Sequence, residues 1–158
     1  MKFLLLIFLF VGCLKTTELT QESYIPPKFI MEMGNEVPIF PTKSRKITSK
    51  YGMRNGKLHK GVDIGVPLGT EVFNILPGVV VGIGQGGTYG KYIIIQHLHY
   101  KTVYAHLSKH LVKIGDFILS GTSVGLSGNT GHSTGPHLHF EIKKNDRFID
   151  PMSIKYKE

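Results

Sequence analysis

Residues 135–141 read Gly135-Pro136-His137-Leu138-His139-Phe140-Glu141, and the fold turns on this stretch. Apolar and polar side chains alternate with a period of two, the pattern of a β-strand rather than a helix. On a strand, residues i and i+2 point to the same face. His137 and His139 are therefore expected to present two imidazoles side by side, at the end of a long glycine-polar loop over residues 128–135.

Two other stretches carry related side chains. Upstream, His59-Lys60-Gly61-Val62-Asp63 offers an imidazole and a carboxylate, and Tyr104-Ala105-His106-Leu107 lies between the two. We expect the three stretches to converge on one zinc ion. A catalytic zinc takes three protein ligands and keeps a fourth position open, where bound water is acidified. His59, Asp63 and His139 supply two imidazoles and one carboxylate for it. His137 shares a strand face with His139 and can reach the same pocket without ligating, and His106, on another strand, can flank it from the opposite side. Each residue also has an ordinary explanation. The chain has eight histidines, and His97, His99, His110 and His132 are expected at the surface or the rim. Asp63 taken alone would read as a turn carboxylate.

The rest of the chain favours an all-β fold. There are 19 glycines, and after residue 42 short β-rich runs are separated by turn signals, with no strong helix candidate. Residues 47–51 read as a short strand and 52–56 as a turn-rich loop containing Asn55-Gly56. Residues 71–75 and 78–83 flank a Pro77-Gly78 turn, and 84–90 form a glycine loop. Residues 91–97 carry Ile93-Ile94-Ile95, the pattern of a strand buried on both faces. The runs at 102–107, 122–126, 137–143 and 148–151 complete a small antiparallel sheet or roll spanning residues 42–158.

Two short motifs are decoys. Gly82-Ile83-Gly84-Gln85-Gly86-Gly87 has dinucleotide-binding spacing, but that fingerprint needs a helix to begin there, and a β-rich run follows. Gly121-Thr122-Ser123-Val124-Gly125 matches a hydrolase nucleophile elbow, but no histidine follows His139 to complete a triad in that order.

The first residues have a different character. Lys2 precedes an apolar run over residues 3–11, shorter than the roughly 20 residues that span a bilayer. Such a run has the form of a secretory signal. Gly12-Cys13 closes it in a way that resembles the lipobox of bacterial lipoproteins, with Phe10 where leucine is usual. The expectation is a signal over residues 1–12, lipidation at Cys13, and a membrane-anchored protein exported to the cell envelope and facing the wall. Residues 13–41 hold Pro26, Pro27, Pro38 and Pro41 and read as a tether and wrapping segment, with Phe29, Ile30, Ile39 and Phe40 able to pack on the domain. Cys13 is the only cysteine, so no intrachain disulfide can form. The net charge of +8 suits anionic partners such as lipid or an acidic wall polymer. With no run of five basic residues and no aromatic-basic motif, nucleic acid is not expected.

Taken together, His59-x-x-x-Asp63, Tyr104-Ala105-His106-Leu107-Ser108 and the run from Thr130 to Glu141 resemble the lysostaphin/LytM-type zinc metallopeptidases over about residues 47–151. Tyr51-Gly52-Met53-Arg54 and Asp150-Pro151 add smaller echoes. The resemblance implies a small all-β fold with a substrate groove. It implies zinc on His59, Asp63 and His139, with His106 and His137 as the catalytic pair. The implied substrates are peptide bonds in the stems or bridges of peptidoglycan. Some members of that family have lost zinc ligands and act instead as regulators of wall amidases or as partners of wall-synthesis and division proteins, but all five positions are intact here.

Overall fold

The computed structural model describes residues 36–158. The expected signal, Cys13, Phe29, Ile30 and most of the expected tether lie outside the described residues. Within them the strands are β1 (Ile47–Ser49), β2 (Gly52–Arg54), β3 (Lys57–His59), β4 (Val62–Ile64), β5 (Glu71–Phe73) and β6 (Gly78–Gly86). They continue with β7 (Gly90–Gln96), β8 (Lys101–His110), β9 (Phe117–Ile118), β10 (Ser123–Ser127), β11 (Leu138–Lys144) and β12 (Arg147–Ile149). A single 3₁₀ turn follows at Pro151–Ser153, and the described residues contain no α-helix.

The main sheet runs β1-β4-β11-β8-β7-β6-β9, and every pairing in it is antiparallel. Its centre follows from the alternation in β11. Leu138, Phe140 and Ile142 are buried in the core with Val62, Ile64, Ile93, Ile95 and Tyr104. His137, His139 and Glu141 point the other way, into a groove. One edge of β11 pairs with β4 along its first half and with β12 along its second. The hairpin between β11 and β12 turns at Asn145 and Asp146, whose φ values of 50° and 57° fit a type I′ turn. Ile39 and Phe40 also lie against the domain. The Ile39 N–H donates to the Ile75 carbonyl (3.0 Å), and Phe40 packs edge-on against Tyr156.

Four local expectations change. Residues 52–54 are a strand, not a loop, because Asn55 and Gly56 (φ 50° and 74°) form a tight turn that folds β2 onto β3. The glycine loop is shorter than expected, since β6 runs on to Gly86. Ile94 is only half-buried, because the residue across from it in β6 is Gly82, which has no side chain to cover it. His97 belongs to the core: it is 2% exposed, and its ring is used at both nitrogens. The two decoys are β segments, Gly82 to Gly86 within β6 and Ser123 to Gly125 within β10.

Candidate functional site

The three central strands assemble the site. His139 in β11 sits directly across from Asp63 in β4 on one side and Ala105 in β8 on the other. Cross-strand partners share a face, so the carboxylate and the imidazole meet over the sheet. His59 arrives from the end of β3, after only three intervening residues, and points back over the same face. Gly61 makes this path possible, because a Cβ there would lie 2.2 Å from the Phe140 carbonyl oxygen.

His106 is placed by a fault in β8. Between Tyr104 and Leu107 the register with β7 slips, leaving an extra residue on β8. At the same point the other edge of β8 changes partner from β11 to β10. His106 has φ of 60°, in the left-handed region that side chains seldom occupy. A bulge of this kind re-aims a side chain, and here it brings the imidazole beside His137, with ring centroids 4.7 Å apart. His137 itself lies just before β11 and is held by a bridge to Gly128.

The hydrogen bonds determine which nitrogen of each ring faces the groove. A carbonyl oxygen can only accept, so a ring nitrogen beside one must carry the proton. His59 Nδ1–H donates to the Lys50 carbonyl (2.7 Å), His106 Nδ1–H to that of Thr130 (2.7 Å) and His137 Nδ1–H to that of Gly135 (2.7 Å). His139 Nε2–H donates to Glu141 Oε1 (3.1 Å). In their neutral forms His59 Nε2 and His139 Nδ1 therefore offer lone pairs, and both point at Asp63 Oδ1. The three atoms stand 2.8, 3.1 and 3.1 Å apart. Three acceptors facing one another repel unless a cation sits among them. Ligand atoms on a tetrahedral centre with bonds of about 2.0–2.1 Å would lie roughly 3.3 Å apart, close to the spacing observed. The donor set fits a metal ion, and His59, Asp63 and His139 are positioned to hold one.

Burial pushes the Asp63 carboxyl up, but the hydrogen bond from His139 and the surrounding imidazoles outweigh it and hold it below its ordinary value. Burial works against a charged His139, yet its hydrogen bonds to Asp63 and Glu141 hold it above the usual histidine value, so a cation binding at Nδ1 competes with a proton there. Burial keeps His106 below the usual value despite its bond to Thr130. The groove over this face has a volume of about 620 Å³. It is rimmed by Arg54 and Lys57 on one wall and by Ser133 and Thr134 on another, with His132 at its rim as expected. A separate cavity of about 360 Å³, lined by residues such as Leu76, His99 and Tyr100, shares no residue with it.

The five residues singled out in the sequence thus come together. Tyr89 and Glu141 were passed over. Glu141 could have been read from the same alternation, since it is the third side chain on the His137 and His139 face. Tyr89 reaches the site from the β6–β7 turn, for which the sequence carries no periodic signal.

Residues 57–151 match the sequence profile of Peptidase family M23. A peptidoglycan DD-endopeptidase, ShyA, of Vibrio cholerae is 46% identical over 95 residues, covering 60% of this chain and 22% of that protein. A crystal structure of a zinc-containing peptidase from Vibrio cholerae superposes with a TM-score of 0.69 at 36% identity, covering 78% of this chain and 40% of that one. Lysostaphin from Staphylococcus simulans superposes at 0.64 with 36% identity, covering 68% and 48%. The matched stretch spans a third or less of the first curated relatives, between 22% and 33% of their length. With the sequence profile and the folded site in agreement, the chain belongs to peptidase family M23.

Proposed function

We propose that this domain is a zinc-dependent endopeptidase that hydrolyses peptide bonds in peptidoglycan cross-links or stem peptides. The observation that carries the reading is the convergence of three lone-pair donors, His59 Nε2, Asp63 Oδ1 and His139 Nδ1, beneath two further imidazoles. A zinc ion held there supplies a Lewis acid that acidifies water and polarises a carbonyl at neutral pH. The chain's own residues handle the proton. His106, kept neutral by burial, presents Nε2 to accept a proton from the attacking water as its oxygen bonds to the carbonyl carbon. His137 keeps its Nδ1–H on the Gly135 carbonyl, so it stabilises the developing oxyanion from the facing side in its doubly protonated form, donating from Nε2. The proton taken by His106 then passes to the leaving amine nitrogen as the C–N bond breaks. Arg54 and Lys57 on one wall suit a substrate bearing carboxylates, as wall peptides do.

The apolar run ending at Cys13 supports export to the cell envelope as a lipoprotein facing the wall. Wall-synthesis or division proteins are natural neighbours there. Incubating the purified chain with peptidoglycan, with and without a chelator, and analysing released fragments by mass spectrometry tests the reading. Chelator-sensitive new peptide ends are expected and would name the bond. Bound zinc with no release in any wall preparation would overturn it.

A further inference from the structure

Glu141 is 1% exposed, and the described residues place no lysine or arginine against it. A buried carboxylate without a cationic partner is costly. Its Oε1 accepts from Tyr89 Oη (2.8 Å) and from His139 Nε2 (3.1 Å), and its Oε2 is buried with no hydrogen-bond partner among the described residues. Gly61 packs directly against it, since a Cβ there would lie 2.9 Å from Glu141 Cγ. Nothing in packing accounts for an acid at this place, and an apolar residue would fill the volume at less cost.

Tyr89 adds the second half of the arrangement. Its hydroxyl holds Glu141, while its backbone carbonyl accepts the N–H of the strained His106 (2.8 Å). The first residues of β7, directly after it, are also fixed to the loop that carries the His106 anchor. The Lys91 N–H donates to Thr130 Oγ1 (2.9 Å), and a Cβ on Gly90 would meet Thr130 at 2.3 Å. One turn therefore touches both the ligand side and the His106 side of the groove.

We infer that Tyr89 and Glu141 form a positioning unit: Glu141 locks His139 in its Nε2–H tautomer so that Nδ1 faces the metal, and Tyr89 fixes Glu141 while tying it to the strand of His106. This rests on the metal reading given above. It also explains the acid. Asp63 and Glu141 together supply two negative charges against a divalent cation, and the buried acid gains its counter-charge through the imidazole it orients. Ring-bound carboxylates of this kind commonly change metal affinity by roughly 10- to 100-fold.

The test uses the full chain and three variants, Glu141→Gln, Glu141→Ala and Tyr89→Phe. Zinc affinity is measured by competition with a chromogenic chelator, and the protonation of His139 by ¹⁵N NMR of the zinc-loaded protein. Glu141→Ala is expected to bind zinc at least tenfold more weakly and to lose the slowly exchanging Nε2–H of His139. Glu141→Gln, which still offers an oxygen to that N–H, recovers part of the affinity. Tyr89→Phe weakens binding several-fold while its backbone bond to His106 remains. Thermal midpoints of the metal-free proteins show whether each variant folds, and Glu141→Gln and Tyr89→Phe carry the test if Glu141→Ala does not. Wild-type chain that binds zinc, with folded variants that match it within twofold and keep the His139 signal, would overturn this inference alone. Wild-type chain that binds no zinc would overturn the metal reading as well.

Discussion

The Thr130 carbonyl oxygen lies 2.7 Å from Nδ1 of His106, and this contact decides which nitrogen of His106 can do chemistry. The carbonyl takes the proton-bearing nitrogen, and Nε2 is left with its lone pair toward the groove. His106 touches none of the three converging donor atoms through a hydrogen bond. His106→Ala is therefore expected to bind zinc at wild-type stoichiometry while losing about 10²- to 10⁴-fold in turnover, the usual worth of a positioned acid-base group. Metal content by mass spectrometry and fragment release from peptidoglycan measure the two separately. An active His106→Ala enzyme would remove His106 from the mechanism.

The backbone of His106 supports a second expectation, about stability. At φ of 60° a residue with a Cβ is strained by about 1–2 kcal/mol relative to glycine. His106→Gly is expected to unfold at higher urea than His106→Ala, by about 1 kcal/mol, although glycine normally weakens a strand. Equal midpoints would show that the surrounding bulge relaxes when the imidazole is gone.

The legible part of this protein was periodic. The alternation from His137 to Glu141 foretold β11, its core face and its groove face, and the all-β fold followed from glycine-separated short runs. His137 and His139 were legible because a strand displays side chains at fixed spacing, while His59, Asp63 and His106 were singled out by their motifs, and the structure brings all five to one groove. What escaped the reading depends on long-range pairing. Nothing local marks the bulge at His106, because a register slip is a property of two strands. His97 looked like a surface residue because its partners, the Pro77 carbonyl and the Thr102 hydroxyl, lie on other segments. The hairpin of β2 and β3 was hidden by its brevity, although the Asn55-Gly56 turn was recognised.

His97 gives a pH-dependent expectation away from the groove. Burial pushes its imidazole down to about 4 from an ordinary 6.5, against the opposing effect of the Pro77 carbonyl. The folded ring is neutral, with Nδ1–H donating to Pro77 and Nε2 accepting from Thr102. Between those two values the unfolded chain binds more protons than the folded one. Its contribution is thus complete above about pH 6.5 and lost as pH falls toward 4. A tenfold change in proton affinity is worth about 1.4 kcal/mol, so the loss is on the order of 3 kcal/mol. Urea unfolding at pH 7.5 and pH 4.5 should show wild type losing more stability than His97→Gln. Parallel losses would mean that other groups carry the acid sensitivity.

Gly61 provides the sharpest test of how the metal ligands are brought together. It lies midway between His59 and Asp63, and its Cα passes directly over β11. A methyl group there would sit 2.2 Å from the Phe140 carbonyl oxygen, 2.8 Å from its carbon and 2.9 Å from Glu141 Cγ. The first two are backbone atoms of the central strand and cannot turn aside, so β4 and β11 must separate. Separation breaks the Asp63 to His139 pairing on which the site depends. Gly61→Ala is expected to cost more than about 2 kcal/mol of stability, at the upper end for overpacking, and to abolish tight zinc binding. Gly135→Ala is the matched control. It lies in the loop beside His137, where an added Cβ meets nothing within 4 Å, and should stay within about 0.5 kcal/mol of wild type. Chemical denaturation and zinc titration of the two variants separate the effects. Normal zinc binding by Gly61→Ala would show that the ligands can assemble without the close approach of β4 to β11.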